Sequence, residues 1–308
     1  MNRRTSIYTH PACLAHDTGP GHPESPRRLQ AVTAALREAF PSAEWLEAPR
    51  ATRGQLARVH APSLVARVLH APEESIHLDP DTVLSPDSPE AALRAAGAAV
   101  AATDAVLNGE IDAAFCAVRP PGHHATSDRA MGFCLLDNVA VAAAHALDRH
   151  GLSRVAIVDF DVHHGNGVQE IFQAEPRVHY FSAHQSSLYP WTGLEDERGC
   201  GNIHNVLLPA GTGSTGFRAA WSQRLLPQMD AFAPELVLVC AGFDAHARDP
   251  LAQLELEAAD YAWLTSGLLA LARRHAGGRI VSALEGGYDL QALRESVVAH
   301  VGALFARP

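Results

Sequence analysis

The run VAIVDFDVHHGNG, residues 155–167, sets Asp159, Asp161, His163 and His164 directly after a β-favouring stretch, Val155 to Val158. Gly165 and Gly167 then free the backbone to turn. Residues two apart in extended chain point to one side, so Asp161 and His163 are expected to reach a common ion. A carboxylate and a neutral imidazole suit a divalent metal such as Zn²⁺, above all when a third protein ligand leaves one position open for water. Acidic groups buried beside paired histidines with no such partner would be costly.

The elements that must position these groups repeat one pattern. AAFCAV (113–118) runs into RPPGHH and delivers His123 and His124; ELVLVCAGFD (235–244) delivers Asp244; RIVSALEGGY (279–288) delivers Tyr288. Each apolar run ends in a polar, glycine-bearing turn. In an open α/β sheet the ligand crevice lies outside the carboxyl ends of parallel strands, so the four endpoints are expected to converge. Asp244 then completes an Asp-His-Asp set with an open coordination position. PEAALRAAGAAVAATDAVL, DNVAVAAAHAL and DYAWLTSGLLALARRH read as helices packed on the sheet. DPDTVLSPDSP (79–89) reads as a surface connection. No linker or charge run divides the 308 residues, which points to one domain.

Six segments in order, GHPESPRRL, RPPGHH, GFCLLDN, DFDVHHGNGVQEIF, AGFDAHARDPL and EGGYDL, make the chain resemble the zinc-dependent histone deacetylases and acetylpolyamine amidohydrolases in their class II form. The resemblance implies a single catalytic domain over residues 1–308 with an arginase-like α/β fold. Its mostly parallel central sheet would be flanked by helices, with the active site at the C-terminal strand ends. It implies hydrolysis of an amide bearing a small acyl group, with one catalytic Zn²⁺ on Asp161, His163 and Asp244. His124 would be the general base and later acid, backed by Asn166 where class I members carry Asp. His123, backed by Asp159, would support the oxyanion and the water. Tyr288, after Gly286 and Gly287, would donate to the oxyanion. Phe133 and Tyr189 match the walls of a narrow tunnel, and the Gly132 carbonyl would accept the substrate amide hydrogen. Arg28 matches an arginine beside an inner channel for the released acid; a helix-surface arginine is the other reading. A structural K⁺ is implied around Asp159, Asp161, His163, Ser182 and Ala183. Leu251 stands where polyamine-specialised members carry a glutamate, so acyl-lysine or a related small amide is the expected substrate, with acetylpolyamines the alternative. A catalytically inactive acyl-lysine binding module would lack a ligand or the tyrosine, and none is missing. A dimetal hydrolase of arginase type fits the single Asp-x-Asp-x-His set and the tyrosine turn less well.

The formal charge of −10 argues against a general nucleic-acid surface. All 24 basic residues are Arg, so the protein is no acyl-lysine substrate of its own. No apolar run reaches the roughly 18 residues of a membrane span, and the N-terminus lacks an apolar signal region, so a soluble cytoplasmic protein without a membrane partner is expected. The five cysteines show no CxxC spacing and read as buried thiols in a reducing compartment. Of the eighteen histidines, His60, His70, His145, His150, His275 and His300 read as background on helices or their ends. Assembly is left open, a homo-oligomer included.

Overall fold

The structure, a computed structural model, describes residues 4–306; residues 1–3 and 307–308, the ends of the expected catalytic domain, lie outside the described residues. Its strands are β1 (Thr5–Thr9), β2 (Glu44–Glu47), β3 (Ile76–His77), β4 (Val83–Leu84), β5 (Ala113–Cys116), β6 (Val155–Asp159), β7 (Val178–Gln185), β8 (Ile203–Leu208), β9 (Leu236–Ala241) and β10 (Ile280–Leu284). Eight of them form one sheet in the order β2-β1-β5-β10-β9-β6-β7-β8, and β3 pairs with β4 in a small antiparallel ribbon. Every pairing in the large sheet is parallel. Helices cover both faces of such a sheet, so its central strands lose the polar/apolar alternation of half-exposed strands. All residues of β5, β6, β9 and β10 are buried accordingly.

The four strands that carry candidate chemistry are the four neighbours β5, β10, β9 and β6. Their register keeps the ends level: Asp159 pairs with Cys240, Cys240 with Ala283, and Ala283 with Cys116. Segments far apart in sequence therefore emerge side by side at the carboxyl edge.

The three expected helices form as Ser88–Leu107, Asn138–His150 and Ala258–His275. Alanines let the first pack closely, and a Cβ on Gly97 would strike the backbone at Pro49 and Ala51. Asp137 caps the second by accepting from the Ala140 N–H at 2.8 Å, an interaction worth about 1 kcal/mol. Gly151 ends that helix in the left-handed conformation, φ 68°.

Two sequence readings need correction. The 79–89 segment is not a plain surface connection, because Thr82 to Ser85 are buried and β4 lies within it. Cys200 is exposed, whereas Cys13, Cys116, Cys134 and Cys240 are buried free thiols. Among the described residues no helix is long and apolar enough to cross a membrane.

Candidate active site

Beyond Asp159 the chain bends instead of extending. Asp159 Oδ1 accepts from the Asp161 N–H at 3.1 Å, and Asp161 Oδ1 accepts from the His163 N–H at 2.9 Å. Each aspartate folds the backbone two residues ahead of it, as Asp does in local turns. Asp161 and His163 do meet, but through this double turn and not through the strand alternation expected from sequence. Asp244, after β9, accepts from the Val162 N–H at 2.8 Å and lies 3.1 Å from His163 Nδ1. The same Nδ1 lies 3.1 Å from Asp161 Oδ1. Glycine is needed around this cluster: a Cβ at Gly242 would enter the Asp161 carboxylate, and one at Gly286 would enter both carboxylates.

The electrostatics of these three groups call for a cation. Burial alone would neutralise His163, yet the Asp161 and Asp244 carboxylates hold it up at about 10. Burial would raise Asp161, but the His123 and His163 imidazoles hold it below the ordinary carboxylate range. Burial and the Asp161 charge push Asp244 up to about 6. A divalent ion would satisfy both carboxylates and leave His163 neutral as a ligand. The donor spacing fits zinc, since bonds of about 2.0–2.1 Å in a tetrahedron separate ligands by roughly 3.3 Å.

The adjacent histidines are driven in opposite directions. His123 Nδ1 donates to Asp159 Oδ2 at 3.0 Å; burial would lower its pKa, but the Asp161 and Asp159 charges raise it well above the usual value. His124 Nδ1 donates to Asn166 Oδ1 at 2.8 Å, and burial with the His123 and His163 charges keeps it neutral. Neutral Asn166 adds no charge to offset them. His124 Nε2 is thereby left with its lone pair.

Gly287, at φ 120°, turns the chain after β10 so that Tyr288 enters the cavity. Burial raises the Tyr288 pKa well above 10, which keeps its hydroxyl a donor. Arg28 is fully buried, not on the helix surface. It donates to the Gly287 carbonyl at 2.6 Å and the Glu285 carbonyl at 2.5 Å, with its guanidinium carbon 4.9 Å from the Tyr288 ring centroid.

Of these groups His124, His163 and Tyr288 line a cavity of about 240 Å³, together with Gly132, Phe133, Tyr189, Leu251, Asp81 and Leu188. A Cβ on Gly132 would lie 2.5 Å from the His124 ring. Phe133 stands edge-on to Tyr288 at 5.9 Å and Tyr189 edge-on to His124 at 5.1 Å. Of the residues expected around a potassium, Ser182 pairs with Asp159 in register, and its hydroxyl bonds His184 at 2.9 Å.

Four supporting residues were missed in the sequence. Glu285 accepts from the N–H groups of Gly122 and His123, fixing the turn that carries both histidines. Asp249 accepts from the N–H groups of Tyr288 and Leu251, tying the tyrosine to the tunnel wall. Tyr180 donates to Asp159 at 2.9 Å. Asp81 enters from the supposed connection. Glu285 and Asp249 lie inside the EGGYDL and AGFDAHARDPL segments, so their motifs were in view although their roles were not.

The model of the histone deacetylase domain matches residues 22–304. A histone deacetylase-like amidohydrolase of Pseudomonas aeruginosa is 39% identical, over 94% of this chain and 83% of its own length. The polyamine deacetylase HDAC10 of Mus musculus is 40% identical over 92% of this chain, which spans 45% of that protein. The crystal structure of the HDA15 HD domain superposes with a TM-score of 0.93 at 36% identity, covering 98% of this chain and 88% of that one. With nearly its whole length matched in both sequence and fold, the chain belongs to the histone deacetylase family of amidohydrolases.

Proposed function

We propose that this chain is a zinc-dependent deacylase that removes acetyl or other small acyl groups from acyl-lysine or a related slender amide. One observation carries the reading: His163 of the Asp161–His163–Asp244 cage, His124 and Tyr288 line one narrow cavity, with His123 packed behind His124 at 4.0 Å between ring centroids. Zinc held by Asp161, His163 and Asp244 would supply the Lewis acid that polarises an amide carbonyl and acidifies a water. His124 takes the proton of the attacking water at Nε2, its Nδ1 being committed to Asn166. His123, its Nδ1–H held by Asp159, and the Tyr288 hydroxyl face the charge developing on the carbonyl oxygen. His124 then passes its proton to the leaving amine. Phe133 and Tyr189 admit an unbranched chain, and the Gly132 carbonyl accepts the amide N–H. Arg28 lines an inner exit for the acid product. A K⁺ near Asp159, Asp161, His163, Ser182 and Ala183 would brace the same strand ends.

A second reading, acetylpolyamine hydrolysis, is favoured by Asp81. Its carboxylate lines the cavity, raised to about 6 by burial and by Asp79. A distal ammonium would find a partner there, and HDAC10 is named a polyamine deacetylase. Leu251 opposes it with an apolar wall. Acetyl-lysine peptides, acetylpolyamines and small acyl amides assayed side by side, with chelator and with zinc restored, decide between them. The first reading expects zinc-restored activity highest on acyl-lysine; a markedly higher kcat/KM for acetylspermidine or acetylputrescine would replace it with the second.

A further inference from the structure

Among the described residues, only two groups of His, Cys, Asp or Glu donors converge closely enough to hold a metal ion, and one of them shares nothing with the catalytic cavity. It lies between two helices that pack on each other, Ser88–Leu107 and Asn138–His150. Asp104 Oδ1 is 2.8 Å from His145 Nε2 and 2.6 Å from His150 Nε2. The imidazole planes stand at 70° with centroids 5.7 Å apart, and both Nε2 atoms converge on that one carboxylate oxygen. His145 is 6% and His150 17% exposed, while Asp104 is 40% exposed and opens the point to solvent.

We infer that Asp104, His145 and His150 form a second divalent-cation site, a clamp between these two helices that is separate from catalysis. Two imidazole nitrogens and one carboxylate oxygen favour a late first-row ion such as Zn²⁺, Ni²⁺ or Co²⁺ over the oxygen-seeking Mg²⁺ or Ca²⁺, and three protein ligands leave room for water. Ion binding replaces the two Nε2–H donors and turns each ring to its Nδ1–H tautomer. The neighbouring charges make this specific. Arg58 Nη1 lies 3.3 Å from His145 Nδ1, while its Nε and Nη2 hold Asp148 at 3.0 and 2.5 Å. When Nδ1 carries the proton, Arg58 loses that long third contact and keeps its carboxylate. Arg58 therefore opposes the ion through charge and tautomer alike, and its removal should tighten binding. The five-residue spacing of the histidines, with the carboxylate on another helix, hides the group in the sequence.

The test is a metal count on the full-length protein, stripped with chelator, equilibrated with buffered Zn²⁺ and desalted. Wild type should hold two ions. His150→Gln and Asp104→Asn should each hold one and keep full deacylase activity, and Asp244→Ala should lose the other ion. Arg58→Gln should fill the second site at lower free zinc. Zinc beyond the first equivalent should raise the melting temperature of wild type but not of His150→Gln, since a ligand specific to the folded state stabilises by mass action. If His150→Gln folds poorly, Asp104→Asn at the half-exposed carboxylate gives the same reading. One ion in wild type, or equal counts in wild type and Asp104→Asn, would overturn the assignment.

Discussion

At and beneath the floor of the cavity Asp161, His163, Asp244, His123 and His124 are buried, and each is hydrogen-bonded to a residue from the same cluster of strand ends. At its mouth Asp81, Leu188, Tyr189 and Leu251 arrive on loops, and Trp191 beside Tyr189 is 74% exposed. The Tyr189 hydroxyl there has no hydrogen-bond partner among the described residues. A floor built on four neighbouring parallel strands holds atoms to the tolerance that transition-state stabilisation needs. A mouth built on loops has a shape and charge that change without disturbing the chemistry. Substitutions at the floor should therefore act on kcat, and those at the mouth on the choice between substrates.

The sharpest way to break this contrast is Tyr288→Phe. A donor that acts only on the developing oxyanion should cost roughly 10²-fold or more in kcat, with KM and bound metal nearly unchanged. An undiminished kcat would remove Tyr288 from the mechanism. Gly132→Ala comes next. Its Cβ must displace the His124 ring or the strained backbone at φ 57°, and such a misplacement should cost roughly tenfold or more in kcat while the fold survives. Steady-state kinetics alongside circular dichroism would separate the two effects.

Leu251→Glu tests the mouth. It adds a carboxylate to the wall that Asp81 already shares, and a charge pair of roughly a kcal/mol or more with a distal ammonium should move the acetylspermidine to acetyl-lysine ratio of kcat/KM by about five- to tenfold. If kcat on both substrates collapsed instead, floor and mouth would not be separable.

The smallest effect on turnover concerns the scaffold below the floor, where the change is in stability. His300 is buried between Thr265 and Ser282 of β10, and burial lowers its pKa to about 3. The unfolded chain takes up a proton below about 6.5 that the folded chain refuses until about 3. Stability is thus lost as pH falls through that window, by about 2 kcal/mol at pH 5. His300→Gln, which keeps partners for both hydroxyls, should flatten this slope in denaturant titrations and leave kcat at pH 7 unchanged.

The floor was legible in the sequence because strand ends write themselves as an apolar run followed by glycine and a polar residue. Asp244 and Tyr288 needed no more than that pattern. The turn at Asp161 was misread because an Asx turn and an extended chain bring residues i and i+2 to the same side alike. Arg28 was ambiguous because its burial depends on Glu24 and on carbonyls about 260 residues away, at Glu285 and Gly287. Asp81 was missed because a Pro- and Asp-rich stretch looks solvated when its partner, the N–H of Phe133 on Thr82, is out of sight. Contacts made across the fold by loops leave no local periodicity to read.

The central claim is that the Asp161–His163–Asp244 cage holds the zinc that runs the chemistry. Acetyl-lysine hydrolysis by chelator-stripped enzyme, followed as Zn²⁺ is returned, should rise from near zero and saturate as the site with about one ion per chain is filled. Asp244→Ala should stay inactive across the same titration. Full activity in the stripped enzyme, or in Asp244→Ala, would contradict the account.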